Sequence, residues 1–169
     1  MNSGYAYNRR VSPVNDVLAG RLLAMDVGAR RIGLAVSDLL GITAQGIETL
    51  HRKNKRTDFE YLAKVIGEYT VTEIVVGYPL RMSGAASAQT GHVEAFAQDL
   101  EKKFGLPVHR WDERLTSVQA GRVLRESNIS IVKRARAVDR LAAVLILQSF
   151  LDHRAMQRQN RGNSTDSNI

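Results

Sequence analysis

The sequence contains no cysteine, which excludes disulfides and thiolate-bound metals and fits a reducing compartment. It also lacks an apolar run of membrane-spanning length, because VLILQSFL is broken by Gln148 and Ser149. The opening MNSGYAYNRRVSPVNDVLAG has no continuous apolar block of the kind a secretory signal needs. Histidines are few: His51, His92, His109 and His153 are scattered rather than set at metal-ligand spacing, which argues against zinc. These absences lead us to expect a cytoplasmic protein with no membrane partner.

Positive charge is plentiful. The formal net charge is +7 over 169 residues, a balance that favours an anionic partner, of which nucleic acid is the commonest. The length suits one domain with a substantial core and is too short for two. Residues 1–20 are polar and read as a flexible segment, and MQRQNRGNSTDSNI, residues 156–169, reads as a disordered polar tail. A single domain over residues 21–155 is left between them.

Within it, RLLAMDVG reads as a buried strand, IGLAVSD as a second and ITAQGIETL as a third. Their short connections favour an antiparallel meander, since a parallel crossover needs a dozen or more residues. DFEYLAKVIGEY then places Phe59, Leu62, Ala63, Ile66 and Tyr69 at helical spacing. EIVVGYPL follows as a fourth strand, and a helix runs from about Ser87 until Gly105 stops it. LPVHRWDE supplies a fifth strand, and Thr116-Ser117-Val118-Gln119 opens another helix with a capping-box pattern. A long final helix follows. The order βββ-α-β-α-β-α-α predicts an α/β fold with a five-stranded mixed sheet: an antiparallel meander, then parallel strands four and five, flanked by helices.

Three acids fall where this order gathers ligands. Asp26 ends strand one, Asp112 and Glu113 end strand five, and ligand sites in such sheets lie outside the carboxyl ends of parallel strands. Singly, each has a bland reading: a turn for Asp26, solvation or a helix N-terminus for the Asp112-Glu113 pair. Neighbouring strand residues point to opposite faces, so one of that pair faces the crevice. Asp139 heads a stripe through Ala142, Ala143, Ile146 and Phe150 that should press the final helix onto the sheet. A buried carboxylate must be hydrogen-bonded, paired or metal-bound, and Arg136 and Arg140 are available as pairing partners. Converging carboxylates without cysteine suit Mg²⁺ or Mn²⁺. In a basic protein they suggest phosphodiester cleavage assisted by two ions ~3.5–4 Å apart.

MDVGARRIGLAVSD, VVGYPLRMSG, WDERLTS and VDRLAAVLILQSFLD, spanning Leu22 to Asp152, resemble in order and spacing the YqgF/RuvX family. The resemblance implies an RNase H-like fold related to RuvC-type Holliday-junction resolvases. It implies catalytic, metal-binding carboxylates at Asp26, Glu113 and Asp139, and so favours Glu113 over Asp112. It implies 5′-end processing of precursor 16S ribosomal RNA, with Holliday-junction resolution as the alternative and RNA binding with little catalysis as a further one. Either a monomer or a homodimer is compatible with it. The loop after strand four departs from the family's P-L-N-M-D-G, with Arg81 and Ser83 replacing an asparagine and an acid. An actin-like ATPase, suggested by Asp26-Val27-Gly28 and Gly33, would need a second subdomain that ~130 ordered residues do not supply.

Candidate contacts to the nucleic-acid backbone are Arg30 and Arg31 beside Asp26, Arg114 and Thr116 after Glu113, and Lys133, Arg134 and Arg136 ahead of Asp139. HRKNKR, residues 51–56, reads as a solvated loop away from the site. Trp111 and Tyr78 could stack on bases, but core packing accounts for them equally well.

Overall fold

The structure is a computed structural model that describes residues 20–80, 83, 87–115 and 131–165, without the side chains of 115, 131–136 and 163–165. Strand β1 (Arg21–Val27) pairs antiparallel with β2 (Arg31–Ser37) through a tight turn in which the Gly28 amide donates to the Arg31 carbonyl at 2.9 Å. Strands β3 (Ala44–Gly46) and β4 (Leu50–His51) both pair antiparallel with β2. Helix α1 (Lys55–Glu68) leads to β5 (Val71–Tyr78), parallel to β1, and α2 (Ala88–Phe104) leads to β6 (Val108–Asp112), parallel to β5. A short 3-10 turn (Glu113–Leu115) follows, and the last helix, α3, spans Ile131–Thr165. The helix expected to start at Thr116 lies outside the described residues.

The meander and the parallel strands are as expected, but the sheet has six strands, in the order β3-β2-β1-β5-β6 with β4 also on β2. The expected third strand is broken by a bulge. Ala35 pairs with Gly46, whereas Ile32 pairs with Leu50 rather than with Thr49, so the chain gains one residue between the two pairings.

The helix ends follow their capping chemistry. Asn54 accepts the Thr57 amide at 3.0 Å to start α1, and Ser87 and Thr90 form a reciprocal capping box on α2. Gly105, at φ 63°, closes α2 in the left-handed conformation that costs glycine least.

The sheet separates two cores. On one face Leu23, Met25, Ile32, Leu34, Ile74 and Val76 pack against α1 and α2. On the other, Leu22, Ala24, Ala35 and Val75 meet Ala143, Ile146, Leu147 and Leu151 of α3. Gln148 and Ser149, which interrupt the apolar run in the sequence, fasten α3 to the sheet: Gln148 Oε1 accepts the Ala44 amide at 3.0 Å, and Ser149 Oγ accepts Trp111 Nε1 at 3.1 Å. Trp111 packs edge-on against Phe150 and belongs to this core. Further along, Arg154 grips Glu73 with two hydrogen bonds of 3.0 and 2.8 Å, and His109 lies 2.7 Å from the same carboxylate.

Two readings of the sequence need correction. The helix continues to Thr165, past Met156 where a disordered tail was expected. Residues 154–161 include helix formers such as Ala155, Met156 and Gln157 and contain no glycine or proline, so nothing local ends the helix there. The 51–56 stretch is solvent-exposed except at Arg52, but it is not a loop throughout: His51 ends β4 and Lys55 begins α1. Arg52 donates to the Gly28 carbonyl at 2.9 Å, pairs with the buried Asp58 and lies over the Phe96 ring, while Asn54 is the α1 cap.

Candidate active site

Strand alternation puts Asp26 on the α3 face. Leu22 and Ala24, four and two residues earlier, belong to the α3 core, while Leu23, Met25 and Val27 belong to the other. The same parity separates the two acids after β6. Arg110 turns to Glu94 and Glu101 of α2, and Trp111 turns to α3. Asp112 is occupied by Arg114, whose Nη2 sits 2.6 Å from Oδ2 and whose backbone amide donates at 3.0 Å. That grip holds the Asp112 carboxyl below its ordinary range. Glu113 lies instead against β5, beside Ile146 of α3.

Glycines make the room. A Cβ at Gly77 would come 2.5 Å from Glu113 Oε1 and 2.6 Å from Ile146 Cδ1. A Cβ at Gly33, the β2 partner of Asp26, would collide with the Asp139 backbone carbonyl, and one at Gly46 with the Arg140 side chain. Each glycine sits inside a strand, where it weakens the strand and marks a close approach. They let α3 lie low enough to bring Asp139 beside Asp26. Sequence reasoning missed them, although glycines within strand-like segments are a readable signal.

The electrostatics record the convergence. Burial, then the neighbouring charge of Asp139, raises the Asp26 carboxyl above its ordinary value, while a hydrogen bond with Glu113 works against that rise. Glu113 is pushed up to about 7 by burial, by the Asp26 charge and by its hydrogen bond to Asp26. Two carboxyls this close share a proton near neutral pH. Among the described residues Asp139 is not paired with Arg140, and the side chain of Arg136 lies outside them. Its partner is Arg31, whose Nε lies 2.8 Å from Oδ2. That oxygen is buried yet accepts no hydrogen bond among the described residues, so the guanidinium supplies charge without aiming an N–H at it.

Of the other candidate residues, Arg30 is exposed and Arg114 is held by Asp112. Lys133, Arg134 and Arg136 stand on the first turns of α3, ahead of Asp139; their side chains, like Thr116 and Arg81, lie outside the described residues. Ser83 is in an exposed turn.

The donor set of Asp26, Glu113 and Asp139 is all oxygen, with one buried, unbonded carboxylate oxygen among them, and so fits a hard divalent cation. Among the described residues, however, no three such side chains are drawn close enough to hold an ion as they stand.

Comparison with known proteins places the chain in a family. The model of a family described as "RuvX: Holliday junction resolvase" matches residues 20–153. A Koribacter versatilis protein named "Putative pre-16S rRNA nuclease" is 64% identical over 140 residues, covering 83% of this chain and 92% of its own. One of the same name from Moorella thermoacetica is 47% identical over 132 residues, covering 78% of this chain and 94% of its own. Among solved structures, the yeast mitochondrial Holliday junction resolvase Ydc2 superposes with a TM-score of 0.55 at 13% identity, covering 88% of this chain and 84% of that one, which is a likeness of fold. Among the described residues no helix is long and apolar enough to cross a membrane.

Proposed function

The chain belongs to the RuvX family, and on that premise we propose that it is a divalent-metal-dependent endonuclease that trims the 5′ end of precursor 16S ribosomal RNA. The observation that carries the proposal is the placement of Glu113 in the space left by Gly77, hydrogen-bonded to Asp26, which in turn lies within the field of Asp139. The names of the relatives at 64% and 47% identity support the choice of substrate.

Asp26, Glu113 and Asp139 would hold Mg²⁺ or Mn²⁺, with room for two ions to be tested by titration. When bound, such ions supply Lewis-acid activation of water and neutralise charge at the leaving oxygen. The rest falls to the protein. Glu113 must release the proton it shares with Asp26 before its carboxylate can ligate, which makes activity rise with pH. Arg30, Arg31 and Arg114, with Thr116, Lys133, Arg134 and Arg136, would hold backbone phosphates that the acids would otherwise repel. The setting would be the cytoplasm.

A second reading, resolution of four-way DNA junctions, is favoured by the description of the matching family. It requires a dimer that sets two sites symmetrically on one junction.

The test is cleavage of labelled precursor 16S rRNA, four-way junction and linear DNA, in Mg²⁺ or Mn²⁺, by wild type and Asp26→Asn. We expect cut precursor rRNA with wild type and a loss on the order of 10³-fold with the variant. Paired nicks in the junction with intact rRNA would establish the second reading. Tight, salt-sensitive RNA binding without cleavage of any substrate would leave only a binding factor.

A further inference from the structure

Arg31 stands at the start of β2, on the same face as Gly33 and next to the strand end that carries Asp26. Its guanidinium is the positive group nearest the acids for which a contact is described, 2.8 Å from Asp139 Oδ2, and its side chain is 37% exposed. The oxygen it faces is buried and accepts no hydrogen bond among the described residues. That combination is unusual for a structural ion pair. Arginine normally secures a buried carboxylate with directed, often bidentate hydrogen bonds, as Arg154 does on Glu73 and Arg114 on Asp112. Here the charge is neutralised while the oxygen's lone pairs are left open.

We propose that Arg31 is a placeholder cation. It neutralises Asp139 in the metal-free protein and would yield Oδ2 to a divalent ion held by Asp139 and its neighbouring acids. The inference rests on the metal-dependent reading above and adds a positioning residue to it. It also gives a physical reason why the three acids do not stand as a ready-made cage among the described residues. Asp139 is turned to its arginine, and without that arginine a third carboxylate would face the Asp26–Glu113 pair uncompensated. The contact is loose enough to exchange. Arg31 is part-exposed, and its flexible side chain can swing outward, where a substrate phosphate would be the next anion it meets.

The experiment is Mn²⁺ binding to the full chain by isothermal titration, without nucleic acid, for wild type, Arg31→Ala, Arg31→Lys and Arg30→Ala. Removing a competing charge beside the ligand should make Arg31→Ala bind about tenfold tighter than wild type. Arg31→Lys should stay near wild type because the charge is kept. Arg30→Ala, an equal change of net charge on the neighbouring exposed residue, should shift affinity by about twofold or less. In the metal-free state Arg31→Ala should melt lower than wild type, and Mn²⁺ should raise its melting temperature by more than it raises that of wild type. Unchanged or weaker Mn²⁺ binding in Arg31→Ala would overturn the placeholder role. So would an equal shift in Arg30→Ala, which would reduce the effect to overall charge. If neither wild type nor any variant binds Mn²⁺, the metal-dependent reading itself falls and takes this inference with it.

Discussion

On the α1/α2 face of the sheet, β1 and β2 present Leu23, Met25, Ile32 and Leu34, all fully buried; on the α3 face the same strands present Ala24, Asp26, Gly33 and Ala35. One face is built from large side chains that fill space, the other from small ones that allow close approach. The difference continues in β5, where Ile74 and Val76 face α1 and α2 while Val75 and Gly77 face α3. Burial of the large side chains stabilises the fold. The small-residue face contributes less of that, and in return brings helix backbone and carboxylates within a few ångströms of the sheet. With the proposed site on the α3 face, stability and chemistry would be carried on opposite sides of shared strands, and each could be altered with limited damage to the other.

The largest effect on stability should come from the filled face. Leu100, fully buried in α2, when changed to alanine should cost about 3 kcal/mol of stability, through lost burial and the cavity left behind. Denaturant melts would measure that cost, and cleavage per folded molecule should stay at the wild-type level. Next is Gly77→Ala on the opposite face. The added methyl would enter the space of Glu113 Oε1 and Ile146 Cδ1. If Glu113 is the catalytic carboxylate we propose, displacing it by about 1 Å should lower the cleavage rate about a hundredfold, measured at saturating metal, while the melting temperature moves much less than in Leu100→Ala.

The smallest is the pH response of the metal-free protein. Glu113 is raised from 4.5 to about 7. Below the lower value both folded and unfolded chains hold the proton. Between the two values the folded chain keeps a proton that the unfolded chain has released. Stability from this group is therefore full at acid pH and is lost as pH rises to about 7. Allowing for partial exposure, the loss should be on the order of 1–2 kcal/mol. Urea melts from pH 4.5 to 8 would show the slope, and Glu113→Gln should flatten it. Mn²⁺ affinity should move the opposite way and strengthen over the same range.

Much of this division could be read from the sequence, because it rests on local chemistry. Ser87 and Gly105 mark the ends of α2 by their capping roles, and the α3 stripe through Ala143 and Ile146 follows from helical period alone. Parity along β6 separates Asp112 from Glu113, although deciding which of them faced the crevice needed the family resemblance. What could not be read depended on contacts between distant segments. The bulge that splits β3 from β4 is set by the register with β2. Arg52 is held in place because Gly28 and Asp58 receive it, not because of its own neighbours in HRKNKR. The partner of Asp139 proved to be Arg31, over a hundred positions away in sequence. Only the approach of α3 over Gly33 brings the two together.

The central claim is that the small-residue face is the catalytic one, and Asp139→Asn tests it most directly, since that residue reaches the site only through the close packing of α3. The measurement is the Mn²⁺-dependent cleavage rate of labelled precursor 16S rRNA, with the melting temperature followed in parallel. We predict that cleavage falls on the order of 10³-fold while the variant melts as a folded protein near the wild-type temperature. Wild-type cleavage by a folded Asp139→Asn protein would contradict the account.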